Sequence, residues 1–456
     1  MEDSMSARSA RSIPWRLVDL AWPIVGINLL QVTSLVVDAA MVGRSPEGEA
    51  GITGLGYAGQ IAFLLMVAMI GLSVGAVALV ARSHGAGEHD RAQHVLEQAT
   101  LFTLGLGLAV SVLGNLVAGP ILDVLGAHGE ERALGLRYLR PLLLGAAFNY
   151  LNILFAAVLR GVGNTRLAFL VALGMNGLNV VLNYGLILGE LGLPALGVQG
   201  AAIGTVVSQA VAAIAMATLL ARGTVGGLGR PLAWRPVDRD LAVTLGRIGF
   251  PAALDVLVLN AGLLFIISLL GRLDQEAVGA HAVGLRIQSV AFVPGMSIAQ
   301  ATGAMVGAAL GAQDVASARR IVWSSAVLST GIMSVLALVL VVFAEPVVRA
   351  FGIGPGAMSA YAVTWLSLLG YGMPVVGSFL ALGGLFQGSG DTSTPFRINA
   401  AVTFGFQIPA GWLLGFVVGW GAFGVWVAFP LSFVLKTFWA WIAYRRGAWA
   451  VTGARV

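Results

Sequence analysis

Long apolar runs separated by short polar breaks dominate the chain. A helix needs about 20 apolar residues to cross the hydrocarbon layer of a bilayer. Twelve stretches qualify: 15–42, 52–81, 95–119, 135–158, 167–189, 197–221, 242–271, 278–309, 321–344, 360–385, 396–417 and 420–444. Several are interrupted by glycine, which a lipid-buried helix tolerates where neighbouring helices satisfy its backbone. One polar connection is long: RGTVGGLGRPLAWRPVDRD, residues 222–240, rich in Gly, Pro and Arg. It splits the spans six and six. The pattern predicts an all-α polytopic membrane protein with 12 transmembrane helices in two pseudo-symmetric six-helix lobes around a central cleft. The N-terminal lobe covers 1–221, an interlobe linker 222–240 and the C-terminal lobe 241–456. Residues 1–13 are polar, and the apolar run after them is long enough to span, so no cleavable signal peptide is expected.

Composition agrees with lipid as the main solvent. Of 456 residues, 58% are hydrophobic and 10% charged, and the mean hydropathy is +0.89. A soluble domain carries roughly 25% charged residues. Glycine is abundant, at 62 residues, as suits helices that approach closely in lipid. The absence of cysteine excludes disulfides, thiol catalysis and Cys-ligated metals. The five histidines, His84, His89, His94, His128 and His281, lie near predicted helix ends or in loops and form no HExxH pair, so neither a metal nor a metal enzyme is expected. No GxxxxGK[ST] occurs, and ATP coupling has no support. The expected partners are the lipid bilayer and small organic molecules, with no nucleic acid. A chain carrying both lobes is expected to work as a monomer, without a cofactor and without enzymatic activity.

The net charge of +5 is best read through topology. With the N-terminus inside, 18 of the 26 Lys and Arg fall in inner segments and 6 in outer ones (Arg44, Arg132, Arg137, Arg140, Arg272 and Arg349). Arg286 and Lys436 lie within spans. This bias predicts a multi-pass cell-membrane protein with both termini cytoplasmic, and an odd number of spans would destroy it.

The two halves repeat. Pro23 to Gly43-Arg44 has the spacing of Pro251 to Gly271-Arg272, offset by 228. GAGEHDRA (85–92) resembles GAQDVASA (311–318), with Gly87 over Gly311 and Asp90 over Asp314. GVGNT (161–165) lies over GSGDT (388–392), and Gly197-Val198 over Gly424-Val425, both offset by 227. Repeats of six spans enter the membrane from the same side. They are expected to be related by an axis along the membrane normal, with a cavity between them.

At these landmarks the chain resembles the MATE (multidrug and toxic compound extrusion) family. WPIVGINLLQVTSLVVDAAMVGR (22–44) is similar to that family's opening span, with an early proline, an aspartate fifteen residues on and then a glycine. GAHAVGLRIQSVAFVPGMSIAQATGAMVGAALGA (279–312) is similar to its eighth span, and RGVGNT (160–165) and QGSGDT (387–392) resemble its RGxGDT-like loops. GVQGAAIGT (197–205) resembles its sixth span. The likeness runs from about residue 15 to 445. It implies a V-shaped pair of six-helix lobes that export lipophilic, often cationic compounds in exchange for H⁺ or Na⁺.

Asp38 stands out by its chemistry. A bare carboxylate inside a span costs about 2.5–3.5 kcal/mol on insertion scales. It must be neutralised by a proton, a cation or a partner, which makes it a candidate coupling site; a structural acid reaching interfacial water is the plainer alternative. Asn28, Gln31, Ser34 and Asp38 form one polar stripe, expected to face the lobe interior or the cleft. Pro23 lacks an amide proton, so the helix can bend there. The resemblance implies that this bend follows the state of the acid. On the fifth span Asn176, Asn179 and Asn183 share a face. Their oxygens can ligate Na⁺ or bond a protonated carboxyl, or they serve only interhelical packing. The resemblance implies that Asn179 contacts Asp38, that Asn183 stands where a second aspartate often occurs, and that Thr205 supplies a hydroxyl. The neutral Asn183 tips the expectation from Na⁺ toward H⁺.

The second lobe places Ile266 where the first has Asp38, and instead carries Asp255, four residues after Pro251. Arg286 on the next span is its expected partner, either as a structural ion couple or as part of a second coupling site. Lys436 is expected to snorkel toward the cytoplasm. Tyr371, Gln407, Asn399, Phe148 and Tyr150 are candidate cleft residues. Two alternatives to drug antiport remain. A flippase for lipid-linked oligosaccharide precursors would line its cleft with several cations, and only Arg286 and Lys436 are available. A sensor or channel does not need an internal pair of lobes.

Overall fold

The structure is a computed structural model that describes residues 12–223, 225–233 and 236–455. The described residues are helical almost throughout, and an isolated bridge between Val225 and Leu228 is the single β pairing among them. The helices are α1 (Ile13–Gly43), α2 (Gly48–Gly85), α3 (His89–Val124), α4 (Gly129–Leu144), α5 (Ala146–Gly161), α6 (Thr165–Leu188), α7 (Val198–Ala221), α8 (Arg239–Gly271), α9 (Gln275–Gly311), α10 (Val315–Val342), α11 (Ala344–Ala350), α12 (Ala357–Ser389), α13 (Ser393–Val402), α14 (Ile408–Trp412), α15 (Gly421–Arg446) and α16 (Ala448–Arg455). Among the described residues eleven helical stretches are long and apolar enough to cross a membrane, and the bent pair α4–α5, taken as one span, makes twelve. The span expected at 135–158 is therefore two helices meeting at 55°. Pro141 cannot donate to the carbonyl of Arg137, and Gly145 ends α4 one turn later.

The span after Ser393 is also irregular. Helix α13 runs into a π-helical turn at Thr403–Gln407, then α14, then a second π turn at Leu413–Val417. Pro409 has no amide proton to close an α turn onto Gly405, so the ladder re-pairs with a wider turn.

The chain forms two compact units, but they divide elsewhere than at the linker. One unit is Gly26–Ala253; the other is made of the chain up to Val25 and Leu254–Val456. Both divisions fall inside a helix, two residues after Pro23 in α1 and two after Pro251 in α8, at the same 228-residue offset as the repeat. The reason is packing. Leu17, Ala21 and Ile24 are buried in a cluster with Ile298, Val322, Leu385 and Trp449. The first turns of α8 lie against α2 instead: a Cβ on Gly71 would meet the carbonyl oxygen of Gly249 at 2.4 Å. The linker belongs to the Gly26–Ala253 unit. Gln93 donates to the carbonyl of Arg230 at 2.7 Å and accepts from the amide of Gly229 at 2.7 Å. Gln98 does the same with Pro236 and Asp238, and Asp238 meets His94 at 2.9 Å.

The turns before α3 and α10 show the repeat directly, with one adjustment. Gly87 and Gln313 both adopt left-handed backbone, at φ +75° and +57°. The next amide bonds back to Ser83 in one turn and to Ala309 in the other. Gly87 therefore corresponds to Gln313 and Glu88 to Asp314, not Gly87 to Gly311 or Asp90 to Asp314. The turn needs its left-handed residue and not a particular side chain, so equivalent positions carry Gly in one half and Gln in the other. In GVGNT and GSGDT the match holds: Gly163 and Gly390 are left-handed, at φ +75° and +79°, and the following Asn164 and Asp391 accept from the amides of Leu167 and Thr394.

Candidate functional site

In the Gly26–Ala253 unit, α1, α6 and α7 bring Asp38, Asn183, Asn179 and Thr205 together. Asp38 is buried, with 8% of its surface exposed, and Oδ1 accepts from Asn183 Nδ2 at 2.7 Å. Asn183 Nδ2 also reaches Asn179 Oδ1 at 3.4 Å. Asn179 Oδ1 accepts from Ser34 Oγ at 3.2 Å, and its amide donates to Thr205 Oγ1 at 3.2 Å. Thr205 passes its own proton to the carbonyl of Ala201 at 2.9 Å. The direct partner of Asp38 is therefore Asn183, and the expected contact from Asn179 is corrected: Asn179 stands one helical turn away and acts through Asn183. Asn183 and Asn179 are four residues apart on α6, so one face delivers both amides.

Small residues create the room. A Cβ on Gly204 would sit 2.1 Å from Asn183 Oδ1, so α7 can approach α6 there only with glycine. That Oδ1 is buried and has no hydrogen-bond partner. Val42, Ile187, Val198 and Ala201 seal the site at the α1 C-terminal end. Glu47 anchors α7 beside it, accepting from the amide of Val198 at 2.5 Å.

The rest of the expected stripe divides. Ser34 and Asn28 are half-buried, whereas Gln31 is exposed and stands apart from the network. Asn176 is buried and donates to the carbonyl of Ala172 at 2.8 Å, within its own helix. Helix α1 passes through Pro23 without a break.

In the other unit the expected Asp255–Arg286 couple does not form. Arg286 is exposed, and Asp255 accepts instead from Asn399 Nδ2 at 2.8 Å. Helix α9 turns Arg286 outward while α13 aims Asn399 at the acid. Lys436 does not snorkel: it is buried at 1% exposure, with Nζ 4.9 Å from the centre of the Phe433 ring. Tyr371 is 66% exposed, Gln407 is buried, and Phe148 is 37% exposed. Tyr150 is buried and donates to the carbonyl of Leu65 at 2.9 Å.

The model of the MatE family matches residues 23–185 and 251–413, so each matched stretch opens on one of the two repeat prolines. The chain belongs to the MatE family. Among curated MATE relatives, the probable multidrug resistance protein NorM of Thermotoga maritima is 25% identical over 95% of this chain and 92% of its own length. The probable NorM of Burkholderia pseudomallei is 31% identical over 89% of this chain and 87% of its own. Among solved structures, a MATE in the bent conformation superposes with TM-score 0.88 at 22% identity, covering 97% of this chain and 98% of that one. An outward-facing multidrug resistance MATE family transporter also gives TM-score 0.88, at 23% identity over 96% and 97%. The chain is thus a multi-pass membrane protein of a multidrug efflux transporter family, with that family's fold.

This MATE chain also holds a cavity of about 370 Å³ in the Leu254–Val456 unit, between α8, α9, α12, the first π turn and α15. Lys436, Gln407, Thr403, His281, Trp365 and Trp426 line it. Sequence reasoning missed most of these. His281, expected near a helix end, lies nearly two turns inside α9 with 2% of its surface exposed. The available signal was a group of polar residues on different spans: Asn260, Gln288, Thr403, Gln407 and Lys436.

Proposed function

We propose that the protein is a secondary active efflux antiporter that exports lipophilic and cationic organic compounds in exchange for H⁺, by alternating access of its two lobes. The observation that carries this reading is a membrane-buried carboxylate, Asp38, held by a neutral amide, with no basic residue paired to it among the described residues. A charge at that depth is costly unless a mobile cation neutralises it. The surrounding shell favours a proton over sodium. Asp38 Oδ1 already accepts from Asn183, Asn179 Oδ1 from Ser34 and Thr205 Oγ1 from Asn179, so three of the site's oxygens already face N–H or O–H donors. Buried Asn183 Oδ1 lacks a donor, and a protonated Asp38 would bring one to this neighbourhood. The names of the multidrug resistance relatives support small organic compounds as cargo. The arginine bias supports both termini on the cytoplasmic side.

The test is dye efflux in proteoliposomes driven by a pH gradient, with and without sodium. Proton-driven efflux that needs no sodium and disappears in Asp38→Asn is expected. Efflux that follows only a sodium gradient would replace H⁺ by Na⁺, and efflux unchanged in Asp38→Asn would remove Asp38 from coupling.

A further inference from the structure

The cavity in the Leu254–Val456 unit has the wrong polarity for a cation. Its one ionisable side chain of fixed sign is Lys436, which is 99% buried and makes no hydrogen bond or salt bridge among the described residues. An ammonium offers three donors and no acceptor. Asp255 attracts it through space, but that acid makes no salt bridge with it among the described residues, does not line the cavity and is engaged by Asn399. A buried ammonium with only a ring face and a distant acid for company still lacks acceptors for its three protons, which is costly, and the cavity supplies the space for an acceptor.

The remaining walls describe the rest of the ligand. Trp365 and Trp426 lie 5.9 Å apart with their planes tilted by 35°, and the His281 ring packs 4.9 Å from Trp365. Phe433 and Phe429 continue the aromatic wall toward Lys436, 5.0 Å from each other. Flat rings prefer such offset and edge-on partners. Both ring nitrogens of His281 and the hydroxyl of Thr403 are buried without hydrogen-bond partners. Thr403 and Gln407 are the first and last residues of the π turn, a kind of distortion that recurs at functional sites. A volume of about 370 Å³ lies at the lower end of small-ligand pockets, enough for a two-ring compound.

We propose that this cavity binds a small aromatic monoanion, a carboxylate or sulfonate on one or two fused rings, with its charge on Lys436 and its rings against Trp365 and Trp426. The site is distinct from Asp38 and widens the range of ligands beyond the cations considered above. It is read by binding to resting protein, so its failure and a failure of ion coupling are told apart by assay.

The experiment uses the full chain in phosphatidylcholine nanodiscs, whose lipid carries no net charge. Calorimetric titration compares three probes of one shape: 2-naphthoate, 2-naphthylmethanol and 2-naphthylmethylammonium. Naphthoate is expected to bind at least ten-fold more tightly than the ammonium compound, with the alcohol between them. Lys436→Met, which keeps the length of the side chain, should weaken naphthoate at least ten-fold and leave the alcohol within about two-fold. Lys436→Arg should retain the preference for the anion. Should Lys436→Met fail to fold, Leu285→Trp fills the cavity while keeping the lysine, and should weaken all three probes. Equal or tighter binding of the ammonium compound, no naphthoate binding up to millimolar concentration, or unchanged naphthoate affinity in both Lys436→Met and Leu285→Trp overturns the proposal.

Discussion

Asn183 donates to Asp38 at 2.7 Å across 145 residues of chain, and Asn399 donates to Asp255 at 2.8 Å across 144. In each unit the same pair of helices in the repeat is joined, the one that carries the conserved-spacing proline and the one five spans into the half. The position differs. Asp38 follows its proline by fifteen residues and Asp255 by four, which displaces the second bond by about 16 Å along its helix at 1.5 Å per residue. Duplication preserved the pairing of helices while the depth of the acid diverged.

Removing the amide from Asp38 should be more damaging to folding than removing the acid. Asn183→Leu leaves a buried carboxylate without its donor, and losing such a bond costs about 1–3 kcal/mol. Thermal unfolding in detergent should show a lower midpoint for Asn183→Leu, and Asp38→Asn should stay near the wild type while losing proton-driven efflux. A wild-type midpoint for Asn183→Leu would mean that the hydrogen bond contributes nothing to stability.

Gly204→Ala should disable the site without touching a polar group. Its Cβ would fall 2.1 Å from Asn183 Oδ1, so either the amide turns away from Asp38 or α7 retreats. Overpacking of this kind costs about 1–3 kcal/mol. Efflux should fall at least several-fold with the protein still in the membrane, measured by dye transport normalised to purified protein. Gly174→Ala on α6, where nothing lies within 4 Å of the added carbon, is the matched control.

Close helix packing in the other unit is equally exposed to one methyl group. A Cβ on Gly388 of α12 would meet the carbonyl oxygen of Gly303 at 2.1 Å, and one on Gly384 that of Ala299 at 2.3 Å. Backbone cannot yield as a side-chain end can. Gly388→Ala should lower the yield of monodisperse protein by half or more in size-exclusion chromatography, while Gly383→Ala, which faces open space, should not.

Acid should loosen the linker. The amide of Leu241, followed by His94, holds the Asp238 carboxylate below its ordinary value of 3.8. A group depressed on folding stabilises the folded form above its ordinary value, and that contribution is lost as pH falls through the lower folded value. The midpoint difference between wild type and Asp238→Asn should therefore shrink as pH falls below about 4. A difference that persists undiminished at pH 2 would contradict the assignment.

Much of this was legible in the sequence because lipid imposes blunt rules. Span length follows from bilayer thickness, and a polar residue in an apolar run is conspicuous, which is how Asp38, Asn179, Asn183 and Thr205 could be picked out together. Partner choice was less legible. Asn183 rather than Asn179 reaches Asp38, and Asn399 rather than Arg286 reaches Asp255, because a partner depends on helix rotation and depth, which spacing constrains only to a face. The cavity was hidden for another reason: Trp365, Trp426 and His281 look like packing or interface residues one span at a time, and only their meeting from three helices makes a wall.

The division of both α1 and α8 just beyond a proline bears on how far either half can stand alone. Each half of the gene encodes a bundle whose opening turns are packed into the other bundle. A single half made alone would leave its core incomplete, because the turns that finish it are carried by the other half. Cutting the chain at the loop between α7 and α8 should therefore give pieces that are stable only when made together.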